Sequence, residues 1–328
     1  MAGKSVTVFA LVVLVLAAMP YATSESNLFV LMDVLIAILF ATAYNLVLGQ
    51  TGLLSFGHAA YFGLGAYTVA LLQGHLGLPM LVGIAFGPFV AGFFAMLVAL
   101  LTVRLSGMYF AMLTLAFAQL IYTIIAEWYS FTGGDNGLPV TVPDYFFVTT
   151  HYFYLTLGIV AASVFLLWLI VNSPFGVALL AIRENPQRAS FVGLNVKLYQ
   201  VAAFTISGAF SGLAGALSGS LHQMAFPSML YWTESAQPVL MALAGGIHTF
   251  FGPAVGAAIF TILNFYVASY SGYPLLIFGI VVLLLVMFLP EGVVGTLRHW
   301  VSRSRKNGPE AVKETAPADA GAGRGTRA

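Results

Sequence analysis

Apolar runs, most of them close to the length of a helical membrane crossing, follow one another from about residue 6 to residue 289, separated by short polar or Gly/Pro-bearing connections. A helical crossing needs about 20 mainly apolar residues. The runs at 28–48, 81–103, 108–126, 152–171 and 198–222 meet that length directly. The first, at 6–19, is shorter; it follows Lys4 and precedes Ala22-Thr23-Ser24, so it imitates a cleavable signal segment, but with so many later spans an uncleaved first helix suffices. The stretch 235–270 is too long for one crossing and is interrupted at Gly245-Gly246 and Gly252-Pro253, so it divides into a short helix and a second one. Together with 52–73 and 275–289, the latter stopped by Pro290, the pattern predicts an all-α integral membrane protein of about ten transmembrane helices.

The segment LGQTGLLSFGHAAYFGLGAY interrupts this regularity, because Gly49, Gly52, Gly57, Gly63 and Gly65 each weaken a helix relative to Ala. A break inside a membrane helix is tolerable only where the freed backbone groups meet protein or a water-filled cavity, which places this broken helix toward the interior of the bundle. The neighbouring polar side chains agree with that placement. They suggest a weakly binding, polar-lined translocation pathway built around Asn45, Gln50, Ser55, His58, Tyr61, Thr114 and Gln119. A faint echo, FGPAVGAA from Phe251, hints at an internal duplication. In the run at 198–222, Gly208, Gly212, Gly215 and Gly219 make a groove where another helix backbone can approach closely.

Composition confirms the solvent. Charged residues make up 7% of the 328, against roughly 25% in a soluble domain, and hydrophobic residues make up 60%. Charge placement then sets the orientation. Between Ser5 and Ile182 the chain carries one basic residue, Arg104, whereas Arg183, Arg188 and Lys197 share one loop and Arg298, Arg303, Arg305 and Lys306 follow the last apolar run. Such clusters mark the cytoplasmic side. Glu25, Glu127, Asp135, Asp144 and Glu234 fall in or beside connections without Lys or Arg, which should face outward. The permease domain is expected over 1–297, with the tail at 298–328 disordered, basic at its start and cytoplasmic.

Catalytic chemistry is poorly provided for. No GxxxxGK[ST] phosphate loop is present, so ATP is not expected to bind this chain, and FGLGAY lacks the third glycine and acidic residue of a dinucleotide site. The six His residues form no metal-ligand spacing and there is no cysteine, so neither a metal nor another cofactor is expected. Ser55 and His58 lie three apart with no acid to orient them, which disfavours an intramembrane hydrolase. Asp33, about six residues into its span, is either a structural polar contact or part of an outer gate.

The basic loop at 173–197, SPFGVALLAIRENPQRASFVGLNV and Lys197, is too patterned for a mere connection. Ser173 followed by Pro174 reads as a helix start, Phe175, Ala178, Leu179 and Ile182 recur at helical spacing, and a second short helix from Gln187 to Val192 closes at Gly193. Helices this short need something to dock on.

Six motifs, in order, resemble one family: YNLVLGQTGLLSFGHAAYFGLGAYT from Tyr44, MYFAMLTLAFAQ from Met108, TGGDNGL from Thr132, the loop from Ser173, ISGAFSGLAGAL from Ile206 and FLPEGVVG from Phe288. The chain is similar to permease subunits of ATP-binding-cassette importers for branched-chain amino acids, in particular the longer-type subunit of the permease pair. The resemblance implies a bacterial inner-membrane protein, working with a second homologous permease subunit, two cytoplasmic ATP-binding subunits and an extracytoplasmic substrate-binding protein. No nucleic acid is involved. It implies further that Arg183, Glu184, Asn185, Pro186 and Arg188 couple the permease to the ATPase. Urea and short amides are served by closely similar permeases, and a secondary carrier or channel is the rival class. The Lys/Arg distribution makes a direct prediction: a tag after Thr132 will be accessible from outside, and tags after Gln187 and Arg305 only from the cytoplasm. Finding positions 187 and 305 on opposite sides would break the ten-span count.

Overall fold

The computed structural model describes residues 2–270 together with 276–277, 279–280, 283 and 292–296. The described residues are almost wholly helical. The long helices are α1 Ala2–Ala18, α2 Glu25–Thr51, α3 His58–Leu76, α4 Met80–Thr102, α5 Met108–Glu127 and α6 Thr149–Val171. Two short helices follow, α7 Pro174–Glu184 and α8 Pro186–Phe191, and then α9 Val196–Leu221, α10 Ala236–Gly245 and α11 Gly252–Tyr270. Among the described residues five helices, α2, α4, α5, α6 and α9, are long and apolar enough to cross a membrane. α1, α3, α10 and α11 occupy expected spans but fall short of that combination of length and hydropathy. The expected span at 275–289 and the tail at 298–328 lie wholly or mostly outside the described residues.

α9 organises the bundle. It packs most extensively against α4, α3 and α2, and side-chain pairing fixes the directions. Gly208 meets Ala95 and Gly212 meets Ala91, so α9 and α4 run antiparallel; Gly208 also meets Tyr61, and Gly219 meets Ala66, so α9 and α3 run parallel. The glycine stripe read from sequence lies on these contacts. A Cβ built on Gly65 would fall 1.8 Å from the Gly212 carbonyl oxygen, and one on Gly215 would fall 1.7 Å from that of Phe62. Both distances are impossible for carbon, so α3 and α9 touch backbone to backbone, the contact small residues permit between membrane helices.

These directions divide the bundle into two faces. One face carries the end of α2, the turn with Arg104, and α7 and α8 with Arg183 and Arg188. The other carries the long connection 128–148, in which Leu138–Pro139 (β1) pairs antiparallel with Met224–Ala225 (β2) just past α9. Gln73 at the end of α3 joins this face through two hydrogen bonds to the Thr141 backbone, at 2.7 and 3.0 Å.

Two breaks within the helical runs matter for function, the first of which departs from the expected span. The run at 52–73 is not one helix: α2 continues to Thr51, Gly52 takes a left-handed conformation (φ 74°), residues 52–57 are not helical, and α3 begins only at His58 and runs to Leu76. The first break is therefore a compact turn, while Gly63 and Gly65 sit inside regular helix as contact points. The second lies at 246–251, between α10 and α11, where the Gly-Gly and Gly-Pro pairs placed it.

Gly215→Ala should destabilise the detergent-solubilised protein by about 1–3 kcal/mol, the usual cost of overpacking. Gly74→Ala, where a Cβ meets nothing within 4 Å, should be neutral or mildly stabilising. Equal melting temperatures for the two variants would contradict the backbone contact.

Candidate functional site

The first break is sealed by the chain itself. The Gly52 and Leu53 amides donate to the Leu48 and Val47 carbonyls, which cap α2. The Tyr44 hydroxyl donates to the Ser55 carbonyl at 3.1 Å, the Phe56 amide donates to the Thr114 hydroxyl at 3.2 Å, and the Gly57 amide donates to the Ser55 hydroxyl. The first turn of α3 receives a partner from far along the chain, since the Ala59 amide donates to Ser235 Oγ at 3.0 Å. α3 and α10 therefore both begin in the interior, side by side.

His58, fully buried, lies at the centre of this arrangement. Ser207 spends its one hydroxyl proton on the Ala43 carbonyl at 2.6 Å, so at 2.9 Å its oxygen must accept from His58 Nε2. That fixes the Nε2–H tautomer and ties α2, α3 and α9 at one level. The rings of Tyr44, Tyr61 and Phe204 surround the imidazole at centroid distances of 4.8–5.6 Å.

Of the seven residues expected to line a pathway, Asn45, Gln50, Ser55, His58, Tyr61 and Thr114 are buried, and none of the seven lines either of two cavities of about 660 and 390 Å³. Ser55, His58, Tyr61 and Thr114 are drawn together around the break, with Asn45 and Gln50 on the α2 segment that leads into it. Gln119 stands further along α5 and is half-buried. Asn45 Oδ1, Gln50 Oε1, His58 Nδ1 and Gln119 Oε1 are buried without a hydrogen-bond partner among the described residues. Such orphans are few in native proteins and each calls for an explanation.

The loop at 173–197 has the two expected helices, with different caps. Ser173 holds the N-cap position of α7, but its hydroxyl bonds back to the Ile170 carbonyl. Asn185 caps α8 by accepting from the Arg188 amide at 2.9 Å, with Pro186 in the first turn. The apolar face read from sequence is turned inward: Ala178, Leu179 and Ile182 are buried, and Phe175 stacks on Tyr199 at the start of α9. Its docking surface is therefore the chain's own bundle. What remains outside is a different set, Val177, Phe191 and Val192 with Glu184, Pro186 and Arg188; Phe191 is 88% exposed and Val192 83%.

Arg183 also faces inward. One guanidinium nitrogen donates to the Gly49 carbonyl in the last turns of α2, and the other to His248 Nδ1 at 2.8 Å, in the break between α10 and α11. The two breaks are neighbours here, since a Cβ on Gly49 would fall 2.6 Å from the Ile247 carbonyl oxygen. Arg183 thus joins the loop at 173–197 to both interruptions at once, an arrangement that its place in a basic loop did not disclose.

Sequence reasoning also missed a cavity of about 660 Å³ on the opposite face. Asp33 and His222 stand on one side, 3.7 Å apart, and Glu234, bonded by the Gln237 amide, on another. Asp33 was flagged on its own; its companions come from two other parts of the chain, His222 after α9 and Glu234 with Gln237 at the start of α10, so no local spacing announces them.

Comparison with known proteins settles the class. Residues 26–290 match the family described as branched-chain amino acid transport system / permease component. The chain belongs to this family. It is 26% identical over 319 residues to the high-affinity branched-chain amino acid transport system permease protein LivM of Escherichia coli, covering 88% of this chain and 75% of that one. Similarity also extends to the galactose/methyl galactoside import permease protein MglC of Salmonella typhimurium, at 28% identity over 46% of this chain and 49% of that one. The guanosine permease protein NupP of Bacillus subtilis matches at 28% over 48% and 47%. No solved structure matches. The chain is accordingly a multi-pass inner-membrane permease subunit of an ATP-binding-cassette importer.

Ser207→Ala should lower the stability of the solubilised protein by about 1 kcal/mol, because it strips an interhelical bond inside the bundle. Thr68→Val, which removes only a hydroxyl bonded within its own helix at 2.7 Å, should cost less. The reverse order of melting temperatures would show that the His58–Ser207–Ala43 chain does not hold the helices together.

Proposed function

We propose that this permease moves branched-chain, hydrophobic amino acids from the exterior into the cytoplasm, paired with a second homologous permease subunit, driven by two ATP-binding subunits and supplied by an extracytoplasmic binding protein. The observation that carries this reading is the match to LivM across 88% of the chain, whereas the sugar and nucleoside permeases match less than half. In this reading the face with Arg104, Arg183 and Arg188 is cytoplasmic, as the Lys/Arg rule requires, and so is the C-terminus. The permease domain then occupies 1–297, with 298–328 as a cytoplasmic tail.

Transport follows from the two structural devices. The buried cluster of Asn45, Gln50, Ser55, His58, Tyr61 and Thr114, with Gln119 beyond it, forms the closed part of the pathway. Its orphan acceptors support this, because they gain partners when the bundle opens and solute or water enters, and a group left unsatisfied in the closed state lowers the cost of opening. Glu184, Pro186 and Arg188, with the exposed Phe191 and Val192, meet the ATPase; Asn185 shapes that surface by capping α8, and Arg183 carries its displacement to both breaks.

The decisive experiment is uptake by the reconstituted complex with its binding protein. Leucine, isoleucine or valine should enter in an ATP-dependent manner, and galactose and guanosine should not. Uptake of galactose or guanosine without that of leucine would overturn the substrate assignment. Within the same preparation, Arg188→Glu should weaken recovery of the ATPase subunits, because charge reversal replaces attraction by repulsion. Arg183→Ala should leave recovery intact while reducing uptake at least about tenfold, a loss of 1.4 kcal/mol or more in the coupled step. Loss of ATPase recovery in Arg183→Ala with normal recovery in Arg188→Glu would reverse the two roles.

A further inference from the structure

The cavity on the outer face is walled by α2, α3, α9, α10 and α11 together with the connection that precedes α10. Its polar positions are unevenly charged. Asp33 and Glu234 border it, and among the described residues no Lys or Arg does; His222, Ser218, Ser228, Gln237, Thr261 and Asn264 supply other polar groups. Ser228 and Glu234 also border a second hollow of about 390 Å³ that is lined by Asp135 as well and, among the described residues, by no Lys or Arg. The rest of the larger cavity is apolar and bulky, with Phe40, Phe62, Met229, Met241 and Phe260 on its walls.

Carboxylates lining a low-dielectric cleft and facing no Lys or Arg among the described residues focus a negative potential, which raises the local concentration of cationic groups. The Asp33 carboxylate is held 3.7 Å from His222 Nε2, a distance that leaves its oxygens short of a tight ion pair, and Glu234 is oriented by the Gln237 amide. Both carboxylates are thus positioned from one side and border the cavity. A ligand suited to it has an ammonium group, an aliphatic body for the aromatic and methionine wall, and a second polar end for the amide, hydroxyl and imidazole donors. Sugars and nucleosides have no ammonium group at all.

We propose that this cavity is a low-affinity receiving site for an aliphatic α-amino acid, with Asp33 and Glu234 taking its ammonium group and the wall around Phe40 and Met241 its side chain. The site deepens the amino-acid reading above and rests on it. It selects for charge type in the membrane after the binding protein has released its cargo.

The chain contains no cysteine, so a single Asn264→Cys substitution in the assembled, reconstituted complex gives a clean probe. A cationic methanethiosulfonate reagent should modify the introduced thiol about tenfold faster than an anionic one of the same size. Adding Asp33→Asn and Glu234→Gln should bring the two rates together. Millimolar leucine or leucinamide should slow modification, and 4-methylpentanoate, which has the same carbon body without the amino group, should not. Equal rates for the two reagents, or equal protection by 4-methylpentanoate, would overturn the proposal. Leucine uptake by the unsubstituted complex is measured in parallel: uptake with no ammonium-dependent protection rejects the cavity site alone, whereas absence of uptake rejects the amino-acid reading itself.

Discussion

Inside a bilayer every backbone amide and carbonyl must find a partner within the protein, and this requirement governs where the chain can depart from helix. Among the described residues it departs within expected spans at 52–57 and at 246–251, and the first departure is stitched by side chains from other elements. Thr114 from α5 receives the Phe56 amide, Tyr44 from α2 bonds the Ser55 carbonyl, and Ser235 before α10 takes the Ala59 amide. A broken helix of this kind is therefore a property of the assembled bundle, held by partners on α2, α5 and the turn before α10.

The close packing of α9 against α3 and α4 makes such stitching possible. Where Gly65 meets Gly212 and Gly215 meets Phe62, backbones approach at a distance no side chain allows, so a small lateral shift is resisted by hard contact. α7 extends the same solid toward the face that carries Arg183 and Arg188 by burying Ala178, Leu179 and Ile182. The looser part is elsewhere, around the open cavity between α2, α9 and α11, where polar groups from five elements surround empty space.

What was legible in the sequence was whatever one helix or one turn encodes. The apolar run lengths located the long helices, Ser173-Pro174 and the turn before Gly193 located α7 and α8, and the Gly-Gly and Gly-Pro pairs located the second break, whereas the Asn185 cap of α8 came only from the structure. Gly208 and its repeats announced a contact face without naming the partner. The apolar periodicity of α7 was real, but a stripe does not say what covers it, and here the cover is the bundle and not another protein. His58 was singled out for its place in a Gly-rich segment, while its bond to Ser207 spans 149 positions and follows from no local pattern. The Asp33 cavity was hidden for the same reason: its walls join only in the folded chain.

Arg183 carries a consequence of its shape. A guanidinium is flat and rigid, so its two outer nitrogens hold their acceptors at a fixed separation. With Gly49 gripped on one prong and His248 on the other, the ends of α2 and α10 are kept in step like two rods in one bracket. If α2 and α10 slide past each other by more than about an ångström, one prong must let go, because a hydrogen bond fades beyond roughly 3.5 Å. The bracket therefore tolerates the two rods travelling together and penalises either travelling alone, which makes synchrony, more than force, the quantity that this arginine supplies.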